Sequence, residues 1–104
     1  MEDARIHSLQ HMLERDPNDT RVRFGLAAEM EKAGRWEAAA DHLRAYLALA
    51  EDEGNAWGRL GHALRQLGRH EEARAAYQRG VQEAERHGHP TMAAEFEEVL
   101  EDWD

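Results

Sequence analysis

A chain of 104 residues with a formal net charge of −9 has room for one folded domain, and its acidity works against nucleic-acid binding, which needs basic groups to displace counterions. It holds no cysteine, which excludes disulfides and thiolate metal sites. No apolar stretch approaches the roughly 20 residues that cross a bilayer, and the acidic start Met1-Glu2-Asp3-Ala4-Arg5 leads into no apolar run of the secretory kind. The expectation is therefore a cytoplasmic chain without nucleic-acid or membrane partners, whose acidic surface serves either solubility or adaptation to high salt. Leu and Ala dominate the apolar residues, β-branched residues are few and only Pro17 and Pro90 interrupt, so helix is favoured over sheet nearly throughout.

In chain order, residues 2–15 carry Ile6, Leu9, Met12 and Leu13 at helical spacing. Asp16-Pro17-Asn18-Asp19 ends that segment, and Asn18 or Asp19 is suited to cap the next helix. Residues 20–53 place Val22, Leu26 and Met30 on one helix face, stop at Gly34, and resume with Ala39, Leu43, Tyr46 and Leu47 on a second. Residues 54–87 repeat the plan with Trp57, Leu60, Leu64 and Leu67, a stop at Gly68-Arg69, then Ala73, Ala76, Tyr77, Val81 and Ala84 on a helix from about His70. His87-Gly88-His89-Pro90 reads as a turn. The last segment, 90–103, puts Met92, Ala93, Phe96, Val99, Leu100 and Trp103 on one face and Glu95, Glu97, Glu98, Glu101 and Asp102 on the other, as a terminal helix covering an apolar end requires.

The two middle segments are copies. A shift of 34 positions pairs Leu26 with Leu60, Ala27 with Gly61, Met30 with Leu64, Gly34 with Gly68, Ala39 with Ala73 and Leu47 with Val81, without a gap. Leu9 and Leu13 stand 34 positions before Leu43 and Leu47, so 2–15 reads as the second helix of a partial repeat. Small residues recur where helices must approach closely, at Ala27, Gly61, Ala39, Ala73 and Gly80. A glycine inside a helix costs roughly 1 kcal/mol against alanine, and close packing is the reason expected at Gly61.

Trp57-x-x-Leu60-Gly61-x-x-Leu64 followed by Ala73-x-x-x-Tyr77 resembles the tetratricopeptide-repeat family. The first copy departs from the family pattern at Arg23, Met30 and Leu43, where aromatics are usual, and Glu51 stands where a repeat-end proline matching Pro17 would fall. The resemblance implies an all-α, right-handed solenoid of antiparallel helix pairs, about six helices in one domain. It also implies a concave groove, lined by the first helix of each pair, that binds a peptide or partner protein. Carried over by position, the groove residues are Arg21, Phe24, Ala28 and Lys32 with Gly25 and Glu31, and Asn55, Gly58, Arg59, His62, Arg65 and Gln66. Helical spacing puts these on a single stripe of each helix. Arg21, Lys32, Arg59 and Arg65 against Glu31 leave the set net positive in a chain of net charge −9, which suits an acidic segment or a terminal carboxylate. Gly25 and Gly58 are read as open to a ligand backbone and Phe24 as an apolar anchor. The clamp that some family members use for chaperone C-termini is missing, since its places hold Phe24, Ala28 and Arg59.

Other chemistry is weakly signalled. His7 and His11 stand four apart on one helix, and His87 and His89 flank Gly88, but neither pair has an evident third metal ligand. No phosphate loop, nucleophile elbow or catalytic set is present, and no cofactor is expected. Trp36, Trp57 and Trp103 read as core or capping residues. The leading expectation is a non-enzymatic protein-interaction module. The alternative is a homo-oligomer through the terminal helices, favoured if Ile6, Leu9, Met12 and Leu13 cannot all be buried within one copy.

Overall fold

The computed structural model describes residues 2–103, and among them there are six α-helices and no strand. These are α1 (Glu2–Arg15), α2 (Thr20–Lys32), α3 (Trp36–Leu49), α4 (Asn55–Gln66), α5 (His70–Arg86) and α6 (Pro90–Glu101). They fall into two compact units, one holding α1–α3 and the other α4–α6, with the division after Ala50.

In the first unit the chain leaves α1 through a tight turn and enters α2 at Asp19. The Asp19 carboxylate accepts from the backbone N–H of Arg21 at 3.1 Å and of Val22 at 3.2 Å, satisfying two of the orphan donors of the helix start. At the far end of α2, Gly34 adopts φ +72° and the Arg35 N–H returns to the Met30 carbonyl at 2.8 Å. That left-handed residue closes the helix and turns the chain into α3, and a side chain there would be strained. Ile6, Val22, Leu26, Met30 and Ala39 form the core, with Leu9, Leu13 and Ala38 packed against it. Leu26 and Leu43 are fully buried. Each is worth about 2–5 kcal/mol against truncation to alanine.

Near the start of the second unit the Asp52 carboxylate accepts from the N–H groups of Gly54 and Ala56, both at 2.9 Å. Gly68, 34 positions after Gly34, repeats the same closure at φ +77°, with Arg69 N–H on the Leu64 carbonyl at 2.9 Å. Leu60, Ala63 and Leu64 of α4 are buried, as are Ala73, Ala76, Tyr77 and Ala84 of α5. Gly61 serves the purpose read from the sequence. A Cβ there would stand 2.7 Å from the Tyr77 ring, so only glycine lets α4 lie against that ring. Pro90 opens α6, where its missing N–H costs nothing.

Trp103 follows the last helix and folds back into this unit, 7% exposed. Its ring meets Tyr77 edge-on at 5.9 Å and His70 at 5.8 Å. The Arg74 guanidinium donates to the Trp103 carbonyl at 3.0 Å, and Arg65 lies over the indole with its Cζ 4.5 Å from the ring centre. This is the core role expected for Trp103.

Candidate functional site

The first helix of each repeat, α2 and α4, carries the stripe that the sequence marks for binding. On α2, Arg21 and Lys32 are exposed, and Phe24, Gly25 and Ala28 are half-buried. Phe24 lies against Tyr46 of α3 with ring centres 5.0 Å apart. Gly25 faces α1, where an added Cβ would rest 3.7 Å from both terminal carbons of Leu9. Lys32 reaches Glu29 at 3.4 Å.

Glu29 is a buried carboxylate on the flank of that stripe, 5% exposed. Arg5 of α1 donates to its Oε2 at 3.0 Å and Lys32 shares the same oxygen. Burial pushes the Glu29 pKa up, but these two cations outweigh burial and hold it below its ordinary value. Lys32 is thus committed in part to neutralising Glu29, a role that spacing along α2 did not reveal.

On α4, Asn55, His62, Arg65 and Gln66 are exposed and Arg59 is half-buried. Two members of the predicted stripe have other work. Gly58 is buried, not open to a ligand: a Cβ there would stand 2.3 Å from Phe96 Cζ and 2.5 Å from its Cε1. Phe96 of α6 fills the place that was read as room for a ligand backbone, because an apolar ring within reach of that gap is better buried than solvated. Arg65 packs on Trp103, so the stripe is not independent of the core. Burial raises the Tyr77 phenol above its ordinary pKa, partly offset by the charge of Arg65 nearby.

A change between the two repeats explains why Phe96 enters there. Phe24 and Tyr46 of the first unit correspond, 34 positions on, to Gly58 and Gly80 of the second. Where unit one packs ring on ring, unit two has two glycines facing the Phe96 ring, and a Cβ at Gly80 would sit 2.9 Å from it. The paired aromatic-to-glycine change was visible in the register, and it is the signal that could have removed Gly58 from the site.

Three of the histidines lie beside carboxylates. His11 lies 3.6 Å from Glu14, His87 lies 3.7 Å from Glu83, and His89 meets Glu53 through Nε2. The His89 contact holds the Glu53 carboxyl below its ordinary pKa. Among the described residues no group of three or more His, Asp or Glu is placed to hold a metal ion. On α1, Ile6 is buried, Leu9 and Leu13 pack on the core, and Met12 stays 45% exposed. With Met12 exposed, the four apolar residues of α1 are not all buried within one copy.

Two helical hairpins of the same 34-residue register, with close-packed small residues at equivalent places, define a helical-repeat protein. Comparison with known proteins agrees. A family model of the tetratricopeptide repeat matches residues 30–89, more than half of the chain. The chain belongs to the tetratricopeptide-repeat family. It is 34% identical over 79 residues to the small glutamine-rich tetratricopeptide repeat-containing protein 2 of Mycosarcoma maydis, a match covering 76% of this chain and 22% of that protein. A solved structure of MamA, described as MamA AMB-1, superposes with a TM-score of 0.74 at 28% identity, over 81% of this chain and 50% of that one. The chain therefore spans about a fifth of the curated relative and half of the solved one. No described helix is long and apolar enough to cross a membrane.

Proposed function

We propose that this chain is a protein-interaction module that takes an acidic peptide segment on the exposed face of α4. The family and fold support the interaction role, and family members typically bind rather than catalyse. The observation that carries the acidic preference is compositional and local. In a chain of net charge −9, α4 (Asn55–Gln66) is the one described helix with no Asp or Glu, and it carries Arg59 and Arg65 with His62 between them. Such a face raises the local concentration of an acidic segment and speeds its association, and the planar donors of Arg59 suit a carboxylate. Asn55, His62 and Gln66 add hydrogen-bonding groups along the helix. On the first unit, Arg21, Phe24, Ala28 and Lys32 form the corresponding face of α2.

The test separates Arg59 from Arg65, because Arg65 also supports Trp103. Binding of a fluorescein-labelled hexaglutamate peptide, followed by anisotropy, is expected to saturate with wild type, weaken with salt and fall about tenfold in Arg59→Glu. Urea unfolding of the same variant checks that the fold is kept. Binding that is indifferent to both Arg59→Glu and salt, in a folded variant, overturns the assignment.

A further inference from the structure

Trp103 lies beyond the end of α6 and outside the stripe that spacing marks on α4, yet it touches that stripe at Arg65. The Arg65 guanidinium lies over the indole, its Cζ 4.5 Å from the ring centre, and Arg74 of α5 lies 5.3 Å from the same centre. The ring itself is fixed. It meets Tyr77 and His70 edge-on, and its backbone carbonyl accepts from Arg74 at 3.0 Å. An aliphatic side chain could also be buried here, but only an aromatic ring offers a negative face to a cation.

The state of Arg65 distinguishes this contact from packing alone. The second unit holds another arginine over a tryptophan, Arg79, 4.8 Å from the centre of Trp57. Arg79 also donates through Nε to Glu83 at 3.4 Å, so its charge is met within the fold. Arg65 is exposed, and among the described residues no carboxylate pairs with it. A guanidinium is drawn to a ring face through its charge, while its N–H donors lie in its own plane, so the contact does not consume them. Arg65 therefore combines a held position with unused donors. A long side chain loose in solvent gives up rotamer freedom when it binds, whereas one already held by a ring has given it up on folding.

We propose that Trp103 is a positioning residue for ligand binding: its indole holds Arg65 at the end of the α4 face to receive an Asp or Glu carboxylate of a bound acidic segment through paired N–H donors. This rests on the reading of α4 as an acidic-peptide face, and it extends the binding machinery to the residue that follows α6.

The test joins two readouts on the full chain: the anisotropy of fluorescein-labelled hexaglutamate and the NMR signal of Arg65 Nε–H. In wild type that signal is expected upfield of its position in Trp103→Leu, from the ring current of the indole, and it should shift saturably with hexaglutamate. Trp103→Leu keeps an apolar side chain without a ring face, and Trp103→Phe keeps a smaller ring; urea unfolding checks that both are folded. Trp103→Leu is expected to bind about fivefold more weakly, the share of affinity that an ordered side chain saves. Trp103→Phe should recover most of that loss. In an Arg65→Gln background Trp103→Leu should cost no further affinity, an outcome that a purely structural role would not give. A folded Trp103→Leu that binds as tightly as wild type, or one that loses as much with Arg65→Gln as without it, overturns the proposal. If neither Trp103 variant folds, the wild-type titration decides, and an Arg65 signal unmoved by bound hexaglutamate overturns it. Binding that responds to Arg59→Glu and salt but not to Trp103 ends this proposal alone. A wild type that binds no hexaglutamate ends the reading of α4 as well.

Discussion

Gly58→Ala puts the packing account of α4 at risk in a single residue. Two effects oppose each other. Alanine is favoured over glycine inside a helix by about 1 kcal/mol. Against this, the new methyl group would stand 2.3 Å from Phe96 Cζ, far inside van der Waals contact. The ring cannot simply shift away. Gly80 already touches its other edge closely enough that a Cβ there would be 2.9 Å off, and Tyr77 stands edge-on with centres 5.8 Å apart. Overpacking of this kind costs about 1–3 kcal/mol, and driving Phe96 out forfeits burial of an aromatic as well. The expected net result is a loss of about 2 kcal/mol. Urea unfolding by circular dichroism should show a lower midpoint with unchanged slope. Gly25→Ala is the control, because its Cβ meets Leu9 at 3.7 Å, an ordinary contact. That variant should gain up to about 1 kcal/mol. In a Phe96→Ala background the cost of Gly58→Ala should largely vanish. A Gly58→Ala variant as stable as wild type, or a cost unchanged by removing Phe96, would refute the reasoning.

Two further outcomes are expected. Trp103→Ala should destabilise the chain by about 3–5 kcal/mol, the usual range for a buried aromatic, since it removes a ring 7% exposed and the platform under Arg65 and Arg74; thermal unfolding checks this. Glu29→Gln should flatten the acid limb of stability. The folded-state pKa of Glu29 is depressed below 4.5, so its contribution is fully present above that value and is lost as pH falls through the folded pKa. The urea midpoints of wild type and variant should therefore differ at pH 7 and converge at pH 2, and a constant gap would show that the Arg5–Glu29–Lys32 cluster is not the source.

Much of the fold was legible because its signals are local and repeated. The caps and stops at Asp19, Gly34 and Gly68 each depend on residues within one turn of themselves. The apolar register recurs at 34 positions because each copy must bury the same face, and the glycine at 61 announced a close approach that the Tyr77 ring then explains. The binding stripe was legible only as a set of positions on two helices. What else those side chains touch depends on residues far along the chain. Arg65 meets Trp103, Glu29 meets Arg5, and Arg23 meets His42; none of these pairings has a period to reveal it.

The two departures between repeats carry more functional information than the similarities do. A residue shared by both copies is explained by the fold that both must adopt, whereas a difference in register has to be balanced within its own unit. Phe24 and Tyr46 give way to Gly58 and Gly80, and the second unit answers with Phe96, a ring supplied by another helix that closes the gap. Trp57 answers to Arg23, whose guanidinium lies 3.3 Å from His42 beside a recess of the first unit. The same comparison thus explains why Gly58 is packed beneath Phe96 rather than open. A stability measurement on Arg23→Trp separates two origins for that arginine. If the ring packs as Trp57 does, filling the recess should stabilise the unit by up to about 3 kcal/mol, from apolar area removed from water. A gain in stability would mark Arg23 as a residue held at a cost to the fold. A loss of stability would instead show the arginine to be the better packing choice at this site.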